Sequence, residues 1–197
     1  MAAHDKVPPP GYRDVSIPIA ELTRPGTILS AALALLALVP FWLLHGFGGW
    51  LDMSTLTGLA VAMALLVLLV IHELLHALAW MVAGGFRWGQ ISFGFDRATF
   101  TPYTHVAASM TARAYRIGAM TPGLLTGALP TLAAWVFGSG PLSLIGAFMS
   151  VGAVGDLIVL WVIWRVPGDT LVIDHATNAG CWVKEDNHRT ESQTSRD

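Results

Sequence analysis

From about Thr55 to Ala83 the chain stays apolar for longer than the roughly 17 to 25 residues a helix needs to cross the hydrocarbon core of a bilayer. Three more stretches qualify by the same measure: about Thr27 to Leu44, Ala119 to Phe137 and Pro141 to Trp164. In the stretch from Ala119, the residues Pro122, Gly123, Gly127 and Pro130 interrupt the run. Such breaks are tolerated where neighbouring helices cover the freed backbone groups. A chain of this kind has few ways to fold, because lipid offers no partner for an open backbone. The expectation is an all-α membrane protein of four transmembrane helices.

Composition agrees. Of the 197 residues, 54% are hydrophobic and 12% are charged, about half the roughly 25% charge of an ordinary soluble domain. A net charge of -2 shows no basic excess for nucleic acid. The single cysteine, Cys181, excludes an internal disulfide framework and a Cys-rich zinc fold.

The basic residues set a direction. Lys6, Arg13 and Arg24 precede the first span, and Arg87, Arg97, Arg113 and Arg116 lie in the loop 84–118. Arg165, Lys184, Arg189 and Arg196 follow the fourth span, and the two remaining turns hold none. Positive residues favour the cytoplasmic side, so both termini and the loop 84–118 are expected there. This divides the chain into a cytoplasmic N-terminal segment (1–26), a four-helix membrane domain (27–165) and a cytoplasmic tail (166–197). Residues 1–26 are polar and proline-containing and do not read as a cleavable signal. Most tryptophans, including Trp42, Trp80, Trp135 and Trp164, fall near span ends, as interfacial residues do.

Two short β elements are expected at the cytoplasmic surface. Ile91–Phe95 and Thr99–Tyr103 alternate or are aromatic-rich around Asp96-Arg97, the pattern of a hairpin. Its edge would suit an extended peptide bound by strand addition. Thr170–Asp174 and Cys181–Val183 flank a turn from Ala176 to Gly180 and form a second candidate. From about Lys184 the chain is polar and aperiodic, and is expected to be disordered.

Inside the second span stands Val70-Ile71-His72-Glu73-Leu74-Leu75-His76-Ala77, an H-E-x-x-H pattern. At 3.6 residues per turn, His72 and His76 lie about 40° apart on the helix surface, so two imidazole nitrogens can share one zinc ion. Glu73 projects about 60° beyond His76 and stands beside the metal rather than on it. There it can take a proton from the attacking water and pass it to the leaving amine. Short matches of this kind arise by chance in soluble helices. Here three ionisable groups share an apolar span, where one central charge costs roughly 2.5 to 3.5 kcal/mol. The alternative to a metal site is a structural, hydrogen-bonded cluster.

A catalytic zinc takes three protein ligands. The fourth span carries one ionisable residue, Asp156. It and His76 both lie roughly 12 to 14 Å from the cytoplasmic ends of their spans. Gly152 and Gly155 beside it suit a close helix approach. Asp174 and His175 in the tail compete for the same role, and His105 in the loop is placed at the entrance to the site. Arg113, Tyr115 and Arg116 read as residues reaching for lipid headgroups.

These residues together resemble the putative zincin peptidase family of small bacterial membrane proteins. The likeness runs through His72-Glu73 to His76-Ala77, Phe100-Thr101-Pro102-Tyr103-Thr104-His105, Ala112-Arg113 to Tyr115-Arg116, Pro122-Gly123, Pro130, Gly155-Asp156 and Asp174-His175, in one order from about Leu65 to Val183. That family is in turn similar, at a distance, to the site-2 proteases, which hold zinc inside the membrane with H-E-x-x-H on one helix and an aspartate on a later one. The resemblance implies His72, His76 and Asp156 as zinc ligands and Glu73 as the general base. It also implies a membrane-embedded or membrane-proximal protein as substrate, and a bacterial plasma membrane as location. The Asn-Pro and Leu-Asp-Gly signature of the site-2 proteases is absent. Asp156 stands instead in Gly155-Asp156-Leu157, so Asp174 and His175 stay open as third ligands. The expected function is zinc-dependent intramembrane endopeptidase, with a non-catalytic metal-binding scaffold as the alternative. Transport is disfavoured, because the ionisable groups gather at one depth.

Overall fold

In the computed structural model, which describes residues 8–96, 101–175 and 178–185, the chain opens on a strand. β1 (Tyr12–Ile17) passes through Pro18 into helix α1 (Ile19–His45). The short α2 (Gly48–Leu51) turns the chain, and Ser54, whose hydroxyl accepts from the Thr57 N–H, caps α3 (Thr55–Gly84). Gly85, at φ 71°, ends it in the left-handed conformation that glycine adopts without strain. β2 (Ile91–Asp96) and β3 (Thr101–Val106) pair as a hairpin, followed by the two-residue β4 (Met110–Thr111). Thr111 caps α4 (Ala112–Pro122), which continues through a π-helical segment (Gly123–Ala128) into α5 (Leu129–Phe137). α6 (Gly140–Gly152), α7 (Val154–Val162), β5 (Leu171–Asp174) and β6 (Ala179–Lys184) complete the order.

Three helical segments are long and apolar enough to cross a membrane: Ile19–His45, Thr55–Gly84 and Ala112–Phe137. A fourth is present if α6 and α7 count as one bent span. The four apolar runs are thus found as helices, with three differences, the first being that the run expected from Ala119 starts at Ala112, inside the expected loop 84–118. α1 begins at Ile19, well before Thr27, and runs through Pro25, with the Thr23 and Thr27 hydroxyls donating to the carbonyls of Ala20 and Thr23. The run from Pro141 is not straight. It bends by 41° between Gly152 and Val154, where glycine weakens helix continuation.

The β structure exceeds the two small hairpins expected. A four-stranded antiparallel sheet, in the order β1-β6-β5-β4, draws one strand from the N-terminal segment, one from the loop and two from the tail. Val15 lies opposite Cys181, and Val172 lies opposite both Val183 and Met110. β1 and β4 are the edge strands; β4 is two residues long, and β1 alternates only over Val15-Ser16-Ile17. Val106, Tyr115, Ile163, Val172 and Val183 join Ala77 and Trp80 of α3 in one core. In the hairpin the described part of β3 runs from Thr101, the expected start at Thr99 lying outside the described residues, and Phe93 faces Thr104. Both expected turns, at Asp96-Arg97 and at Ala176 to Gly180, extend onto residues outside those described, as does the tail beyond Glu185. Lys184, the expected start of disorder, is instead the last residue of β6.

Candidate metal centre

His72 and His76 stand one turn apart on α3, both 6% exposed, with ring centroids 5.1 Å apart. What each Nδ1 meets decides which nitrogen is left to act. His76 Nδ1 lies 3.0 Å from the Gly118 carbonyl, a group that only accepts, so Nδ1 carries the proton. His72 Nδ1 lies 3.3 Å from the Thr126 hydroxyl, whose own hydrogen goes to the Pro122 carbonyl at 2.8 Å. His72 therefore also donates from Nδ1. Both rings then turn Nε2 toward one carboxylate. His72 Nε2 is 3.1 Å from Asp156 Oδ2, and His76 Nε2 is 3.3 Å from Oδ1.

Each placement has a local cause. Pro130 has no N–H to give the Thr126 carbonyl, and the chain adopts π-helical register just before it. That widened segment carries Thr126 to His72. At Gly118 a Cβ would run into the Trp80 indole, so glycine lets α4 approach α3 closely enough for its carbonyl to reach His76. The break after α6 puts Asp156 in the first turn of α7, where the helix dipole favours a carboxylate. Gly152 and Gly155, expected as points of close approach, have open space where a Cβ would stand. Helices press together instead at Gly118 and at Gly127, whose Cβ would meet Ser150 at 2.9 Å.

Glu73 is held from the hairpin. The Thr104 hydroxyl lies 2.9 Å from Glu73 Oε2 and 3.0 Å from its carbonyl oxygen. One ligand atom from each of His72, Glu73 and His76 falls within 4.8 Å of the others. Glu73 lies about 16 Å along α3 from Gly84, the last residue of the helix. The contact with Thr104 therefore draws the hairpin along the flank of α3, and not onto the end of the bundle where the sequence places it.

The competing candidates lie elsewhere. Asp174 Oδ2 is 2.6 Å from His105 Nδ1, and its Oδ1 accepts from the Tyr115 hydroxyl at 2.6 Å. His175 is buried against Trp182 and accepts at Nδ1 from the Asn178 N–H. The group of ligand atoms within 4.8 Å of one another holds His72, Glu73 and His76 alone among the described residues, and it is Asp156 whose carboxylate meets both histidines. Tyr115 and Arg116 do not reach outward as their positions suggest. Tyr115 is 3% exposed. Arg116 Nη2 donates to the carbonyls of Ile163, Trp164 and Val166, satisfying the end of α7. Arg113 pairs with Asp169 at 3.4 Å. In the sheet, burial pushes the Cys181 thiol up to about 12, and the Asp174 carboxylate adds to the effect. Sequence reasoning misses Thr104, Thr126, Trp80 and Gly118 as parts of the site. The one signal for Thr126 is that it is the only polar side chain between Pro122 and Pro130.

The chemistry of the donor set fits a divalent metal. Nε2 of both histidines and both oxygens of Asp156 converge within 3.3 Å, so that an ion between them would be met by two imidazole nitrogens and a carboxylate. Two imidazoles and a carboxylate are a ligand set that catalytic zinc uses. One protein family, described as putative zincin peptidase, matches residues 65–171, more than half of the chain and the part that holds His72, Glu73, His76 and Asp156. Among curated proteins and among solved structures, nothing matches.

Proposed function

Since the chain belongs to the putative zincin peptidase family, we propose that it is a zinc-dependent endopeptidase that cuts a membrane-embedded or membrane-proximal protein. The observation that carries the reading is the convergence of His72 Nε2, His76 Nε2 and the Asp156 carboxylate, with Glu73 beside them. His72, His76 and Asp156 would hold the ion. Zinc supplies Lewis acidity there, polarising the scissile carbonyl and lowering the pKa of water. Glu73 takes the proton of the attacking water and gives it to the departing amine. Thr104, donating to Oε2, sets the carboxylate in one orientation and leaves Oε1 for the transfer. The Gly118 carbonyl and the Thr126 hydroxyl keep both imidazoles turned inward, as outer partners of ligating histidines do.

Placement in the membrane is supported by the helix surfaces. Leu43, Leu56, Val82 and Phe137 are 82%, 77%, 86% and 76% exposed. Apolar surface this open is a liability in water and is solvated in lipid. The four-stranded sheet gathers the N-terminal segment, the loop and the tail at one end of the bundle, with Arg13 and Lys184 on it. Positive charge makes that the cytoplasmic end. A substrate helix satisfies its own backbone and must unwind before Glu73 can act on it. β2 has β3 as its one strand partner among the described residues and offers an edge for the unwound segment.

The test is zinc content and cleavage of a fluorescent casein by detergent-purified protein, with wild type beside His72→Ala, Asp156→Ala and Glu73→Gln. The expected result is about one zinc per chain, lost in the first two variants and kept in an inactive Glu73→Gln. Full zinc in Asp156→Ala would remove Asp156 from the ligand set. Cleavage that survives Glu73→Gln with zinc in place would remove Glu73 as the base, and a zinc-loaded wild type that cleaves nothing would make the protein a metal-binding scaffold. Proline scanned through β2 should abolish cleavage without changing zinc content, and full cleavage in every such variant excludes strand addition.

A further inference from the structure

A second polar cluster lies outside the metal centre, and three segments of the chain meet in it. Asp174 of β5 holds His105 of β3 at 2.6 Å and Tyr115 of α4 at 2.6 Å. The Tyr115 hydroxyl also lies 3.1 Å from the Gly180 carbonyl of β6. Contacts this short are typical of bonds to a charged acceptor. Water competes little, since the side chains of His105 and Asp174 are 19% and 14% exposed. The reaction proposed above uses none of these three residues.

What the cluster touches gives it a role. Successive side chains of a strand point to opposite faces. On β3, Thr104 faces Glu73, and the next residue, His105, faces Asp174 on β5. Fixing His105 fixes the height and twist of β3, and so the position of the Thr104 hydroxyl against the Glu73 carboxylate. A second arm runs through Tyr115, which stacks on Trp80 at 5.9 Å with 6° between planes. Trp80 in turn stacks on His76 at 5.4 Å. One carboxylate thus braces both the strand that orients the base and the ring column behind a histidine. Asp174 and Gly180 lie beyond residues 65–171, whereas His72, Glu73, His76, Trp80, Thr104, His105 and Tyr115 lie within them.

We infer that Asp174 is a positioning residue that couples the tail to Glu73 through His105 and Thr104, an inference that rests on the peptidase reading. A misplacement of about 1 Å can lower a rate by about 10²-fold. The test is a double-mutant cycle on the zinc-loaded, full-length protein in detergent, with Thr104→Val and Asp174→Asn made singly and together. Casein cleavage is one readout. The other is calorimetric binding of acetohydroxamic acid, a zinc chelator whose proton must pass to a neighbouring base. Tyr115→Phe, which removes one hydroxyl, is the milder variant of the same lock, and Thr104→Ser restores the donor.

Zinc content should stay at the wild-type value throughout. In each single variant kcat should fall roughly 10- to 100-fold with KM within about twofold, and hydroxamate affinity should fall with it. Thr104→Ser should stay near wild type, and the double variant should lose clearly less than the product of the two single losses, because both act through the Thr104–Glu73 contact. Losses that multiply in the double variant overturn the inference, as do unchanged rates in Asp174→Asn and Tyr115→Phe. Zinc lost from Asp174→Asn would make Asp174 a ligand and overturn it as well. A protein that binds zinc, and binds hydroxamate in a manner dependent on Glu73 and Asp174, yet cleaves no protein overturns the peptidase reading and leaves the positioning role standing.

Discussion

Replacing Gly118 with alanine adds one methyl group where α4 presses on α3 beside the histidines. The three atoms nearest the new Cβ, Nε1, Cδ1 and Cε2, all belong to the Trp80 indole, and even the third is only 2.5 Å away. Either the ring or the helix must move. The ring has little room, since Trp80 is 4% exposed and lies between His76 at 5.4 Å and Tyr115 at 5.9 Å. Two magnitudes compete. Alanine is favoured over glycine inside a helix by about 1 kcal/mol, while overpacking a filled core costs about 1 to 3 kcal/mol. The net effect is a destabilisation of up to about 2 kcal/mol. The Gly118 carbonyl also holds His76 Nδ1 at 3.0 Å. Disturbing such a partner lowers metal affinity by about 10- to 100-fold. Gly155→Ala is the matched control. It stands next to Asp156, yet nothing lies within 4 Å of its Cβ. It should stabilise the protein by up to about 1 kcal/mol, the helix preference with nothing opposing it, and leave zinc affinity unchanged. Thermal denaturation in detergent and competition with a fluorescent zinc chelator read both quantities. A wild-type midpoint and wild-type zinc affinity in Gly118→Ala would refute the close packing on Trp80, and with it the geometry argued for His76.

Two further outcomes follow from single contacts. Thr126→Val keeps the volume but removes the acceptor that fixes the His72 Nδ1–H, and should weaken zinc binding about tenfold. Thr131→Val, whose hydroxyl donates to the Gly127 carbonyl, should leave zinc binding unchanged, and equal losses in the two would count against the tautomer assigned to His72. For Cys181, the folded thiol titrates at about 12 against an ordinary 9.0. An unfolded chain therefore loses this proton first as pH rises. The group has no effect on stability below about pH 9 and destabilises the fold progressively from there toward about pH 12. Denaturant titrations on either side of about pH 9 should show an alkaline loss that Cys181→Ala removes. A loss of the same size in the variant would show that other groups cause it.

How much of this is legible in the sequence follows from what a bilayer does to a code. Bilayer thickness sets helix length, so the runs at Thr55 and Ala119 can be read directly. The same lipid hides which face of each helix is buried, because core-facing and lipid-facing residues are both apolar. On α3 the pattern does not say that Ala77 and Trp80 turn inward while Leu78 and Val82 turn outward. Charged groups escape this ambiguity. His72, Glu73, His76 and Asp156 have no place in lipid, and matching their depths is enough to bring Asp156 to the histidines, where the structure has it. Hydroxyls do not escape it. Thr126 and Thr131 each bond the carbonyl four residues back, as any threonine in an apolar helix can. Only Thr126 also meets His72, and nothing local separates them, because the difference lies in the π-helical register before Pro130. Thr104 is hidden for another reason. Its importance depends on the hairpin lying along α3 instead of beyond it, a long-range choice that a six-residue strand cannot announce. The parts of the site that carry charge are thus readable one helix at a time, and the parts that orient them are visible only once the segments have packed.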